Sequence, residues 1–283
     1  MDKILELIDV SKKYPTFELK KINFSLERGK IMGFVGRNGA GKSTTLKTIM
    51  NLISFDGSIK VNGKEFRDDE VENKQNIAFI LGGVNVYHFV TVKTLKNVTR
   101  RFYKHWDEQL FQNYIKLFNI SESKKVRELS QGMKVKLNLA IALSHKANLL
   151  ILDEPTSGLD PVSRDEILNM FLDLVQKEDV SILFSTQIVS DLEKCADVIT
   201  YIRNGEIVDS TTLDDFVNKY YLIKGDFKTL DKDLKKYIIG YREQRSNFEG
   251  LVKKENINFF ENYEKNTPSI EEVMVFEERN AKL

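Results

Sequence analysis

Apolar and polar positions follow three rhythms along the chain. Up to about residue 30 they alternate in short runs such as Met1-Asp2-Lys3-Ile4-Leu5-Glu6-Leu7, broken at Tyr14-Pro15 and Arg28-Gly29. Period-two alternation punctuated by turn residues predicts an antiparallel β layer. Ile31 to Val35 is then apolar throughout, as in a strand covered on both faces, and a helix-compatible run follows from Ser43 to Asn51. From Thr91 to about Leu129 the period becomes helical, placing Leu110, Tyr114, Leu117 and Phe118 on one face. Leu137 to Leu143 continues as helix, and Leu149 to Leu152 is a buried strand. Asp160-Pro161 supplies an acidic cap and a first-turn proline for a helix whose inner face is Ile167, Phe171 and Leu174. Val180 to Phe184 is a further apolar strand. Strands alternating with helices predict an α/β fold with a parallel core. After about Tyr220 the texture turns to short aromatic-rich segments, with a helix predicted after Pro268. The expected division is a domain over 1–219, with a helical lobe at about 91–135, and a small α/β subdomain over 220–283.

Composition narrows the function classes. The 283 residues carry 43 Lys+Arg against 42 Asp+Glu, so a net charge of +1 provides no global field for a polyanion, and nucleic acid is not expected as a partner. The single cysteine, Cys195, can form no internal disulfide and offers no zinc set, which fits packing in a reducing compartment. His88, His105 and His145 have no ligand spacing, Trp106 reads as a packing anchor, and Arg67-Asp68-Asp69-Glu70 reads as a solvated loop. The start lacks the layout of a secretion signal, so export is not expected. No run reaches the ~18 apolar residues of a membrane helix, so a membrane role would need a partner that supplies the spans.

The chemistry lies in the loops. Gly36-Arg37-Asn38-Gly39-Ala40-Gly41-Lys42-Ser43, followed by Thr44, has the Walker A spacing between an apolar strand and a helix. Small residues there let backbone N–H groups close around phosphate oxygens at a helix N-terminus, Lys42 would reach the β- and γ-phosphates, and Ser43 would offer its hydroxyl to Mg²⁺. Leu149-Leu150-Ile151-Leu152 delivers Asp153 and Glu154 at a strand end, where a parallel sheet places its ligand site. Asp153 suits a Mg²⁺ shell, and Glu154 suits a base that polarises water toward the γ-phosphate.

Leu129-Ser130-Gln131-Gly132-Met133 resembles the LSGGQ signature of ABC ATPases, and Ser157-Gly158-Leu159-Asp160 looks like their D-loop. The order of phosphate loop, insertion, signature, acidic strand and D-loop identifies the chain as similar to ABC nucleotide-binding domains over roughly residues 10 to 210. That resemblance implies a two-lobed P-loop NTPase fold and ATP as substrate. It also implies a homodimer or heterodimer in which Ser130 and Gly132 of one subunit complete the partner's site, and it adds Gln131 and Asp160 to the nucleotide-binding residues. Tyr14 falls about where the family sets an aromatic ring against adenine. The stretches Gly132-Met133-Lys134, Leu143-Ser144-His145 and Thr267 to Met274 are similar to ATPase subunits of bacterial ABC-2 type exporters that act on antimicrobial peptides and antibiotics. This implies a peripheral protein on the cytoplasmic face of a bacterial membrane, paired with a separate transmembrane permease.

Two positions depart from the family pattern. Gly82 stands where a Mg²⁺-contacting glutamine is expected, with Gln75 too early and Asn85 or a water as substitute. Gln187 stands where the switch histidine is expected after Phe184-Ser185-Thr186; an amide donates a hydrogen bond but carries no titrating proton. The alternative to an active ATPase is therefore an ATP-binding regulator or scaffold that hydrolyses slowly. A soluble ABC protein acting on DNA or ribosomes would carry a coiled-coil insertion, two nucleotide-binding domains or zinc cysteines, which this sequence lacks.

Overall fold

The computed structural model describes residues 2–81, 88–226, 230, 232–244 and 247–280. Contacts divide the chain into two units, Met1–Val208 and Asp209–Leu283, where the sequence expectation placed the division after 219.

The alternating N-terminal run forms β1 (Lys3–Lys13) and β2 (Glu18–Glu27), paired antiparallel. The continuous apolar run is β3 (Ile31–Val35), buried at every position, and it leads through a loop into α1 (Lys42–Ile49). The chain returns to the antiparallel layer as β4 (Asp56–Val61) and β5 (Lys64–Glu65), giving a sheet in the order β2-β1-β4-β5. Arg67 to Asp69 are solvent-exposed as expected, but the stretch is not a loop. It is a 3₁₀ turn running into α2 (Glu70–Gln75), with Arg67 bonded to the Phe55 carbonyl at 3.0 Å and Asp69 capping the helix through the Glu72 N–H.

After β6 (Ile77–Ile80) comes the helical lobe of α3 (Val92–Thr99), α4 (Glu108–Leu117) and α5 (Gln131–Ser144). Each starts on a side-chain cap, respectively Thr91, Asp107 and Ser130. Their own core contains Val92, Phe111, Ile115, Phe118, Leu129 and Leu137. The helical period in α4 is as expected and Phe118 is buried as expected, but the phase differs: Phe111 and Ile115 are buried and Leu117 is exposed. Trp106 packs on this core with its ring 5.5 Å from Phe111. A buried cation also braces the lobe. Lys96 Nζ lies 2.6 Å from Glu108 and 3.1 Å from Glu122, and Glu108 also accepts from Trp106 Nε1 at 3.0 Å.

The chain re-enters the core as β7 (Leu149–Asp153), α6 (Pro161–Glu178), β8 (Ser181–Thr186), α7 (Val189–Cys195), β9 (Val198–Arg203) and β10 (Glu206–Thr212). The six-stranded sheet has the order β10-β9-β3-β8-β7-β6, and β3, β6, β7, β8 and β9 run parallel. One core joins the antiparallel layer, α1 and the parallel sheet through residues such as Leu5, Ile22, Phe34, Leu46, Ile151 and Leu183. The second unit has α8 (Leu213–Asn218), β11 (Tyr220–Asp226), α9 (Lys232–Lys235), β12 (Ile238–Gln244), β13 (Asn247–Lys253), β14 (Glu264–Asn266) and α10 (Ile270–Asn280). Its sheet, ordered β12-β13-β11-β14, has a core of its own that includes Ile223, Phe248, Val252 and Phe260.

Candidate active site

β3 ends at Val35, and the Gly36 to Ser43 loop turns the chain into α1. Two glycines are required by contact. A Cβ on Gly36 would sit 2.3 Å from the Ile202 carbonyl oxygen, and one on Gly41 would sit 2.7 Å from Leu19 Cδ2 while the backbone holds φ at +116°. The loop is anchored from outside by the Gly205 N–H, which donates to the Ala40 carbonyl at 2.9 Å. Gly41 precedes α1 and, having no side chain, makes no cap bond to it; uncapped first-turn N–H groups of this kind suit an anion. Lys42 is buried; its Nζ donates to the Gly36 carbonyl at 2.7 Å and lies 3.7 Å from Glu154 Oε1. Burial lowers the pKa of this ammonium, and the nearby Glu154 and Asp153 pull in the opposite direction. Asn38, Gly39 and Ser43 are exposed, Thr44 is half-buried and Ala40 is buried.

Asp153 is the buried last residue of β7. The Ser185 hydroxyl of β8 donates to Asp153 Oδ1 at 2.6 Å and accepts the Glu154 N–H at 2.9 Å; the Ser185 carbonyl accepts the same N–H at 3.1 Å. Glu154 adopts a left-handed backbone with φ at 50°, which turns its side chain away from the strand's alternation. Sequence reasoning missed Ser185 as an orienting residue, although a hydroxyl amino acid closing the apolar run Ile182-Leu183-Phe184 is a visible irregularity. Gln187 is exposed immediately beyond Thr186, where β8 ends. The ends of the neighbouring strands β3, β8 and β7 therefore carry the phosphate loop, Gln187, and the Asp153–Glu154 pair respectively.

Other expected site residues lie on helix starts. The Ser130 hydroxyl accepts the Met133 N–H at 3.2 Å, Gln131 is exposed, and Gly132 is buried beside Ser163. Asp160 caps α6 through the Val162 and Ser163 N–H groups, and the Ser163 hydroxyl donation at 2.6 Å lowers its pKa. Tyr14 stands partly exposed in the β1–β2 turn, with Lys12 Nζ 5.4 Å from its ring centre. Gln75 faces elsewhere and braces the Phe102 carbonyl and the Lys104 N–H, while Gly82 and Asn85 lie outside the described residues. Among the described residues no group of three or more His, Cys, Asp or Glu could hold a metal, and no helix is long and apolar enough to cross a membrane. Ser43 and Asp153 are hard oxygen donors of the kind that suits Mg²⁺ when phosphate oxygens and waters complete its shell.

A family model described as ABC transporter matches residues 19–157. The ABC transporter ATP-binding protein YtrB of Bacillus subtilis is 34% identical over 212 residues, covering 75% of this chain and 72% of that protein. The bacitracin transport ATP-binding protein BcrA of Bacillus licheniformis is 30% identical, covering 76% of this chain and 71% of that protein. Among solved structures, an ATP-binding subunit of an ABC transporter is 28% identical with a TM-score of 0.67, over 75% of this chain and 91% of that one.

Proposed function

Because this chain belongs to the ABC family of ATP-binding transport subunits, which are ATPases, we propose that the Gly36 to Thr44 loop and Asp153-Glu154 form one half of a Mg-ATP site shared by two subunits. The observation that carries this reading is Lys42 Nζ lying 3.7 Å from Glu154, which puts the phosphate-facing cation next to the proposed base. Loop N–H groups and Lys42 hold the β- and γ-phosphates, and Tyr14 stacks on adenine. Ser43 and Asp153 would hold Mg²⁺, which when bound neutralises charge on the phosphate oxygens. Glu154 accepts a proton from a water as that water attacks the γ-phosphorus; the bond to the bridging oxygen breaks and ADP leaves with its electrons. Gln187 donates an amide hydrogen bond to the γ-phosphate. Ser130, Gln131, Gly132 and Asp160 close over the nucleotide of a second subunit.

The working assembly is a homodimer or heterodimer on the cytoplasmic face of a bacterial membrane, bound to a separate permease. Relatives named for bacitracin transport support an exporter in the antibiotic and antimicrobial-peptide group. Exposed Gln187 favours a second reading, a regulator or scaffold with slow turnover. In Mg-ATP, Glu154→Gln should abolish hydrolysis and shift the protein to a dimer in size-exclusion chromatography with light scattering. A Glu154→Gln protein that binds ATP yet stays monomeric would sink the shared-site reading.

A further inference from the structure

We propose that Asp191 is a positioning residue that holds the turns bearing Glu154 and Gln187 in one fixed relation. The inference rests on the ATPase reading above for its kinetic consequence and on geometry alone for its structural one. Asp191 is wholly inaccessible to solvent in the first half of α7. Its Oδ2 accepts the Thr156 hydroxyl at 2.6 Å and the Thr186 hydroxyl at 3.2 Å; its Oδ1 accepts Arg164 Nε at 2.5 Å. Thr156 lies two residues beyond Glu154, and Thr186 directly precedes Gln187. The Thr186 hydroxyl also receives the Ile188 N–H at 3.0 Å, so both flanks of Gln187 are tied to this oxygen. Arg164, on the α6 turn that follows Asp160 and Ser163, bonds Ser190 Oγ at 2.6 Å as well.

A buried carboxylate is costly unless its lone pairs are filled, and here three side chains from three segments fill them. The arrangement therefore favours one placement of the segments leaving β7, leaving β8 and opening α6. Neither threonine needs to touch nucleotide for its loss to matter, because a displacement of about 1 Å at a catalytic group can cost about 100-fold in rate. Among the described residues the Asp191 carboxylate takes its hydrogen bonds from these two hydroxyls and the guanidinium, and so acts through them.

The test combines steady-state hydrolysis, nucleotide affinity by fluorescent ATP, and amide hydrogen exchange on the full chain. Asp191→Asn should lower kcat about 10- to 100-fold with affinity for the fluorescent nucleotide within about twofold. Exchange should rise together at 154–158 and 186–190 and stay unchanged in α3 and α4. Should Asp191→Asn fail to fold, Thr156→Val and Thr186→Val each remove one hydroxyl from the carboxylate and should each lower kcat without moving affinity. Silence of both threonine variants, or exchange rising at one segment alone, overturns the proposal. A wild-type protein that binds but does not hydrolyse ATP refutes the ATPase reading instead, and the exchange measurement still decides the role of Asp191.

Discussion

In the proposed mechanism Gln187 sets how the site responds to pH. A histidine at the end of β8 would change charge near its ordinary pKa of about 6.5, whereas an amide stays neutral across that range. Turnover of the wild type between pH 5.5 and 8 should therefore lack an inflection near 6.5, and Gln187→His should introduce one while raising kcat at pH 7.5. Steady-state phosphate release across that range checks both parts; a variant with the wild-type rate and profile would remove Gln187 from the proposed mechanism. Several site residues were legible from sequence because their chemistry depends on local spacing, as in Gly36 to Ser43. Ser185 and Asp191 were not, because Ser185 bonds the Glu154 N–H 31 positions away and Asp191 bonds Thr156 35 positions away and Arg164 27 away, through contacts that the packing of β7, β8, α6 and α7 creates. An aspartate inside Val189-Ser190-Asp191-Leu192 looks like an ordinary solvated helix residue until Arg164 is brought over it.

At the level of elements, strands were the easiest to read. β3, β7 and β8 are short apolar runs because both faces are covered, and α6 announces itself with Asp160-Pro161. The phase of α4 was misjudged for a physical reason: Leu110, Tyr114 and Leu117, expected with Phe118 on the inner face, share a helical spacing with Phe111, Ile115 and Phe118, and both sets are apolar. Packing against α5 and α3, not periodicity, selects Phe111 and Ile115. The Lys96 brace was invisible as well, since charged residues at helical spacing usually face water. Partial burial pushes the Glu108 pKa up, but hydrogen bonds from Lys96, Trp106 and Gln112 outweigh it and hold the carboxyl at about 2 instead of 4.5. The folded lobe then binds fewer protons than the unfolded chain, so this stabilisation is complete above about pH 4.5 and is lost as pH falls toward 2. Thermal unfolding followed from pH 5 to 2.5 should show a steeper loss of Tm in the wild type than in Glu108→Gln. Parallel curves would mean the ion cluster contributes nothing to acid stability.

On the scale of the whole molecule, Met1–Val208 and Asp209–Leu283 each have their own core. Every residue proposed to meet nucleotide lies in the first. A ligand stabilises the unit that binds it by mass action, so saturating Mg-ATP at 100 times Kd should add about 2.7 kcal/mol to that unit alone. Calorimetry should resolve one transition that moves with nucleotide and one that does not; a single transition that moves as a whole would show the two cores to be cooperative. The protein carries its own probe for assigning them. Cys195 closes α7, four residues after Asp191; burial raises its thiol pKa to about 12, and its Sγ–H donates to the Asp191 carbonyl at 3.3 Å. Such a thiol is chemically silent while the helix is closed and reacts when it opens. As the sole cysteine, it lets a thiol-reactive dye clock the opening of α7 in the unaltered chain, with no engineered label.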